Sequence, residues 1–129
     1  MKTLFLTGRI LFGGYFLYGG IHHFAQLSTL SRYAASKHVP APKLAVGGSG
    51  MLLFLGGLSI LLGTWPHIGA LLIAVFLVGV SPAMHNFWAI TEPNQRMAET
   101  INFSKNMALL GAALMLMMIS QPWVLSLGH

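Results

Sequence analysis

Imidazole, amide and ammonium groups recur in this sequence at the ends of its long apolar stretches. Two histidines close the first stretch, a histidine and an asparagine lie near the end of the third, and a lysine with two asparagines opens the fourth. Ionisable side chains are costly inside lipid, and those found there usually face a partner, the bundle interior or a wet cavity. The candidate residues are Tyr18, His22, His23, His85, Asn86, Asn102, Lys105 and Asn106.

Side chains of these types predict a ligand pocket more readily than a metal site. Histidine, lysine and tyrosine can donate hydrogen bonds to the carbonyl oxygens of a quinone, and histidine can relay protons because it titrates near neutral pH. Two histidines on facing helices could ligate a haem iron, but no spacing in the sequence marks that arrangement, so haem is not favoured. No metal site is predicted, because the apolar stretches contain no carboxylate or thiolate. The alternative for each residue is a surface role, in which its side chain reaches the lipid headgroups.

The composition excludes a water-soluble fold. Hydrophobic residues make up 55% of the 129 residues and charged residues only 7%, whereas a soluble domain carries about 25% charged residues. The net charge of +5 reflects few acids, and the lysines and arginines are scattered singly, which does not predict a nucleic-acid surface. The chain has no cysteine, so disulfides and thiolate ligands are excluded.

Four apolar stretches are long enough to cross a bilayer, for which about 20 mostly apolar residues are needed. They cover approximately residues 3–24, 44–62, 66–90 and 103–119. Polar and turn-forming residues separate them. We therefore predict an all-α polytopic membrane protein, a four-transmembrane-helix bundle that forms a single domain over residues 1–129.

The distribution of positive charge predicts the orientation of this bundle. Most of the lysines and arginines lie in the first and third connections, and connections rich in these residues remain in the cytoplasm. We predict a multi-pass protein of the plasma (inner) membrane whose first and third connections are cytoplasmic. The residues concerned are Arg32, Lys37, Lys43, Arg96 and Lys105.

Topology brings the candidate residues together. The first and third helices run parallel, so their C-terminal ends emerge at the same membrane face, and the fourth helix starts from that face. The candidate residues therefore share one leaflet whichever way the bundle is inserted. Pro82 removes a backbone hydrogen bond and tends to kink the third helix, which opens room one turn before His85.

Arg9 is a second candidate site at the opposite face, roughly 20 Å along the first helix from His22. We expect it near His67 and the end of the fourth helix, where an anchor role among the headgroups is the alternative.

Small residues recur at intervals of seven, which favours close left-handed helix packing in lipid. The repeats are Gly13 and Gly20; Gly50 and Gly57; and Ser49, Gly56 and Gly63.

With these residues placed, the chain resembles the DoxX family of small four-helix membrane proteins along nearly its whole length. The most specific match is the stretch Asn102 to Gly111, which is similar to the family's Phe-x-Lys-Asn-x-Ala-Leu-x-Gly signature. The other matching stretches are Gly8 to Leu11, Gly19 to Phe24, Val39 to Pro42 and Met84 to Trp88.

The resemblance implies a membrane protein linked to redox complexes, since the family is named after a subunit of an archaeal thiosulfate:quinone oxidoreductase. Many members have no assigned activity. The second helix departs from a common family pattern, because Gly47 to Gly50 stand where a glutamate often lies. This departure removes an internal acid and weakens any transfer of proton or ion chemistry to this chain.

Three functions follow as hypotheses. The leading one is a redox-associated subunit that binds a quinone or a similar small amphiphile in the histidine-lined pocket. The second is a structural anchor or assembly partner that holds a soluble enzyme at the membrane, and the third is a small-solute permease, which would need several copies of the chain to form a pathway. Catalysis by the chain alone is left open, because the sequence contains no complete catalytic set, although it could belong to an oxidoreductase or form a homo-oligomer.

Overall fold

The computed structural model describes residues 1–126, and this part of the chain is all-helical. Residues 127–129 of the predicted domain lie outside the described residues. The elements are α1 (Lys2–Ala25), α2 (Leu27–Ser36), α3 (Pro42–Leu62), α4 (Pro66–Met84), a short 3-10 turn (Phe87–Ala89) and α5 (Pro93–Met117).

Three segments of the described chain are long and apolar enough to cross a membrane: α1, α3, and α4 extended through the following turn to Ala89. The fifth helix is 25 residues long, but it does not meet this criterion because its first turns are polar. Three of these polar residues, Arg96, Glu99 and Lys105, carry charge. The structure thus has three candidate spans where the sequence predicts four.

The element boundaries differ from the predicted ones at both polar connections. The sequence predicts a polar connection over residues 26–43, but this segment contains α2, which packs against α3. Its Leu27, Leu30 and Ala34 recur at helical spacing and are partly or fully buried. The last helix begins ten residues earlier than predicted, because the Glu92 carboxylate caps it by accepting hydrogen bonds from two backbone N–H groups. It ends at Met117.

Glycines bring α1 and α3 into backbone contact. A methyl group added at Gly13 would lie 2.8 Å from the carbonyl oxygen of Gly57, and one added at Gly20 would lie 2.8 Å from that of Gly50. The two contacts are seven residues apart along each helix, from Gly13 to Gly20 on α1 and from Gly50 to Gly57 on α3, and the two helices run antiparallel. This confirms the predicted packing role of the seven-residue repeat.

The third helix is the centre of the fold, because α1, α2 and α4 all pack against it, while α5 packs on α4. Gly56 and Gly69 provide a second close approach, between α3 and α4. Among the described residues, α1 and α5 do not form a close helix pair. These two outer helices face each other across a groove. The core residues include Phe16, Leu53, Ile60, Ile73, Leu77 and Ala113.

The contact between α1 and α3 is tested by Gly57→Ala. The added methyl would lie 2.7 Å from the carbonyl oxygen of Gly13 and against the backbone of Leu17, and neither can move aside like a side chain. Overpacking of this kind typically costs about 1–3 kcal/mol. We therefore expect a lower midpoint of thermal unfolding in detergent, measured by circular dichroism.

The matched control is Gly48→Ala on the same helix, where an added methyl meets nothing within 4 Å. Its midpoint should be unchanged or slightly higher, because alanine favours the helix. Equal midpoints for the two variants would contradict the close contact.

Candidate functional site

A cavity of about 370 Å³ lies between α1, α4 and α5, at the end of the bundle where α2 crosses. Its volume is within the range of small-molecule pockets, about 300–1,000 Å³. We call it the histidine cavity. Apolar walls come from Phe16, Leu53, Phe76 and Leu77, and α2 contributes Leu30 and Tyr33. Six of the predicted site residues line it: Tyr18, His22, His23, His85, Lys105 and Asn106.

The two histidines of α1 differ in their surroundings. His23 is partly buried, its ring packs edge-on against Phe76, and its Nδ1 lies 2.8 Å from the carbonyl oxygen of Gly19. Since a carbonyl oxygen only accepts hydrogen bonds, this Nδ1 carries the hydrogen. His22 is exposed and stacks on Tyr18, with ring centroids 6.1 Å apart. His23 is thus the inner wall of the cavity and His22 its rim.

Lys105 bridges the two outer helices. Its ammonium donates a hydrogen bond to the hydroxyl of Tyr15 at 3.2 Å and lies 5.8 Å from the centre of that ring. Sequence reasoning missed Tyr15, although it lies seven residues before His22 and therefore on the same face of α1. The next residue, Asn106, is 7% exposed and makes no side-chain hydrogen bond within residues 1–126.

A buried carboxylate stands behind the cavity. Glu99 is 7% exposed, and its Oε2 lies 3.1 Å from Nδ1 of His85. The amide of Asn102 donates a hydrogen bond of 2.9 Å to the other carboxylate oxygen. Sequence reasoning assigned Glu99 to a connection and missed it. Its spacing could have placed it in the site, because Glu99, Asn102 and Asn106 are three and four residues apart and so share one face of a helix that starts at Pro93.

Asn86 does not line the cavity, which corrects its place in the predicted site. The fourth helix ends at Met84, and the backbone of His85 leaves helical geometry, with φ −123° and ψ 47°. The Asn86 side chain therefore turns towards α2, where its Oδ1 accepts a hydrogen bond of 3.1 Å from Lys37. This hydrogen bond ties the end of α2 to the residues that follow α4. Lys37 also lies 5.9 Å from the centre of the Tyr33 ring of α2.

Arg9 forms a separate buried site at the opposite end of the bundle. It is 2% exposed, and its guanidinium donates to the carbonyls of Ile60 and Leu61 at the end of α3 and to those of Val124 and Leu125 in the C-terminal segment. A cation is also favoured by the negative end of a helix dipole. With so many carbonyl partners, Arg9 joins chain segments and is not arranged to bind a ligand.

The predicted neighbours of Arg9 were His67 and the end of the last helix. The end of the last helix does lie near Arg9, since Met115 and Leu116 line the same cavity, but His67 pairs with Gln121, with 2.6 Å between the ring Nδ1 and the side-chain nitrogen. The reason is that the chain folds back after α5 and places Trp123 beside Arg9. Trp123 is 4% exposed, and its ring centre lies 5.9 Å from the guanidinium carbon.

A protein-family model for DoxX matches residues 4–86, more than half of the chain. The chain belongs to the DoxX family. Neither a search of curated proteins nor a search of solved structures found a match. The family match covers α1 to α4 and so includes Arg9, His22, His23 and His85. It ends before α5, so Glu99, Lys105 and Asn106 of this DoxX protein lie outside it.

Both carboxylate oxygens of Glu99 have a partner in this DoxX protein, since Asn102 donates a hydrogen bond to one and Nδ1 of His85 faces the other. Burial and the negative charge of Glu99 raise the pKa of Tyr33 on the facing helix. Within residues 1–126, no group of three histidine or acidic side chains is arranged to hold a metal ion.

The hydrogen bonds of Glu99 predict an effect on stability. Glu99→Gln should lower the midpoint of thermal unfolding in detergent, followed by circular dichroism, because the buried carboxylate loses its charge-assisted hydrogen bonds to His85 and Asn102.

Glu92→Gln is the control, because Glu92 is the other acid of the chain and glutamine retains an oxygen that can cap α5. It should lower the midpoint less. If Glu92→Gln lowers the midpoint as much as Glu99→Gln, the importance assigned to the Glu99 contacts is wrong.

Proposed function

We propose that this DoxX protein crosses the membrane four times and holds the head group of a quinone or a similar small amphiphile in the histidine cavity, as a subunit of a redox-associated assembly. The observation that carries the proposal is the polar cavity itself, with imidazole groups from the ends of α1 and α4 and amide and ammonium groups from α5. Its part in the assembly is to bind and position the ligand, and electrons are exchanged with a partner.

The fourth crossing is supported by the contacts of α5 with α4. Near its start, Glu99 meets His85 at one end of α4, and just beyond its end, Gln121 meets His67 at the other. The segment from Glu99 to Gln121 therefore covers the length of α4, which is itself a candidate span. A helix that accompanies a membrane span over its whole length crosses the same thickness of lipid.

The orientation follows from charge. The connection that contains α2 and the start of α5 carry most of the positive residues, and we propose that both lie in the cytoplasm. The histidine cavity then opens near the cytoplasmic leaflet of the plasma membrane, and both termini lie outside.

Single cysteines test this topology cleanly, because the chain has none of its own. We expect Ser120→Cys to react with a membrane-impermeant maleimide on intact cells, and Asn94→Cys to react only after the membrane is opened. Both positions are exposed. Ser36→Cys on α2 should behave like Asn94→Cys.

Labelling of Asn94→Cys and Ser120→Cys from the same side would show that α5 does not cross. The reverse pattern, with Asn94→Cys reactive on intact cells, would keep the crossing and overturn the orientation.

An amphiphile is supported by the groove between α1 and α5. Beyond the bridge of Lys105 and Tyr15, the histidine cavity continues into two apolar cavities of about 380 and 430 Å³, which share Gly8 and Phe12. From His22 to Leu4 this path is about 27 Å long at 1.5 Å per residue. The side facing α1 is lined by Leu109, Ala112, Met115 and Leu116 of α5. A long apolar tail fits such a path.

The ligand is tested by titrating a benzoquinone with a decyl tail into the protein in lipid nanodiscs. Quinones quench tryptophan fluorescence, and Trp88 packs on Phe103 at the start of the cavity-forming part of α5. We expect saturable quenching, weakened about tenfold in Asn106→Ala, because the buried amide that can donate to a quinone carbonyl is lost. Asn86→Ala should bind like the wild type, since Asn86 lies outside the cavity. A response that grows linearly with quinone, as in empty nanodiscs, would contradict the proposal and favour the anchor role.

A second variant in the same titration tests whether the ligand tail lies in the groove between α1 and α5. Gly8→Leu fills open space, since nothing lies within 4 Å of a methyl added there, and Gly48→Leu is the matched change on α3, away from the groove. Gly8→Leu should weaken binding of the decyl quinone and leave a tail-less quinone unaffected. Equal effects on both ligands would place the tail elsewhere.

A further inference from the structure

The hydrogen-bonding state of the cavity histidines depends on groups outside the cavity. Nδ1 of His85 faces the carboxylate of Glu99 at 3.1 Å. An ionised carboxylate only accepts hydrogen bonds, so a neutral His85 carries its hydrogen on Nδ1. Its Nε2 then holds an unshared electron pair, and Nε2 makes no hydrogen bond within residues 1–126. Such a nitrogen accepts a hydrogen bond and does not donate one.

His23 is held in the same way by a different group. Its Nδ1 faces the carbonyl oxygen of Gly19 at 2.8 Å, and this oxygen also only accepts. The two inner imidazoles of the cavity therefore both leave Nε2 as an acceptor. The ammonium of Lys105 uses one of its three N–H groups on the hydroxyl of Tyr15. The inner imidazoles of the cavity thus accept hydrogen bonds from a ligand and do not donate them.

We infer that Glu99 holds His85 in the tautomer whose Nε2 accepts a hydrogen bond, so that the histidine cavity prefers a ligand with phenolic hydroxyls, such as a hydroquinone, over the corresponding carbonyl or ether. This inference rests on the proposed function and names the form of ligand that the site selects. Glu99 acts through His85 and is a positioning residue.

The same arrangement suits proton acceptance. When a ligand hydroxyl passes its proton to Nε2 of His85, the ligand O–H bond breaks, an N–H bond forms, and a phenolate and an imidazolium result. The carboxylate of Glu99 stabilises the imidazolium, as a carboxylate does behind a histidine base. The other titratable groups around the pair are Tyr33 and Lys37 of α2, His22 and His23 of α1, and Lys105 of α5.

The first measurement needs no ligand. In protein with ¹⁵N-labelled histidine, the ring nitrogen shifts at neutral pH distinguish an Nε2 that bears hydrogen from one that does not, and His85→Gln assigns the signal. We expect an unprotonated Nε2 in the wild type and in Glu92→Gln, and a shift towards the other tautomer in Glu99→Gln, whose amide can donate to Nδ1. An Nε2 that bears hydrogen in the neutral wild-type protein would overturn the inference, whether or not a quinone binds.

The second measurement compares two ligands of nearly the same shape, an alkyl hydroquinone and its dimethyl ether, by anaerobic calorimetry in nanodiscs. The wild type and Glu92→Gln should prefer the hydroquinone by about tenfold or more, the effect of one well-made hydrogen bond in a buried site. Glu99→Gln should lose most of this preference while it binds the ether as before, a result that general loss of structure would not produce.

The failures of the two proposals are distinguishable. If quinone, hydroquinone and ether all fail to bind saturably, the proposed function is wrong, and the ¹⁵N shifts still decide the tautomer. If the quinone binds but hydroquinone and ether bind equally, or Glu99→Gln keeps the wild-type preference, the inference is wrong and the proposed function stands.

Discussion

The direct backbone contact between α1 and α3 determines the rest of this structure. Lipid tails are as apolar as leucine, so helices in a membrane gain nothing by merely hiding apolar side chains and associate through close packing. Gly13, Gly20, Gly50 and Gly57 supply that packing. Through these glycines α1 packs on α3, and within residues 1–126 it does not pair closely with α5. The open side between α1 and α5 is a groove, and Tyr15 of α1 meets Lys105 of α5 across it.

The two ends of the bundle handle buried charge in opposite ways. At one end, carbonyl oxygens from two chain segments surround Arg9 and use its donors. At the other, Glu99 is satisfied by His85 and Asn102, but the imidazoles beside it keep a nitrogen unused and Asn106 has no partner among the described residues. Spare hydrogen-bonding capacity in a cavity is what a ligand needs. This contrast, more than the number of polar residues, separates the structural end from the candidate site.

Much of this arrangement could be predicted from the sequence, because lipid imposes simple rules. Apolar length indicated helical membrane segments, the seven-residue glycine repeat indicated a close contact, and chain direction alone brought His22, His23, His85 and Lys105 to one end. These arguments depend only on periodicity and topology. They do not depend on how any particular loop folds.

The errors lie where a local backbone detail decides a contact. The amphipathic pattern of α2 was hidden by its polar residues, and the early start of α5 depends on a carboxylate cap at Glu92. Once α5 is extended, Glu99 moves from a connection into the bundle. Asn86 was assigned to the cavity on the assumption of continuous helix, but α4 ends two residues before it. Neither the length nor the composition of a segment reports such a change of direction.

The position of Arg9 has a consequence for how the protein is made. Synthesis proceeds from the N-terminal side, so α1 is made before the end of α3 and well before Val124 and Leu125, yet the guanidinium of α1 has its partners there. Until the segment after α5 folds back, a permanent charge on α1 has only part of its coordination. The folding back of that segment is therefore coupled to the placement of α1 in the bundle.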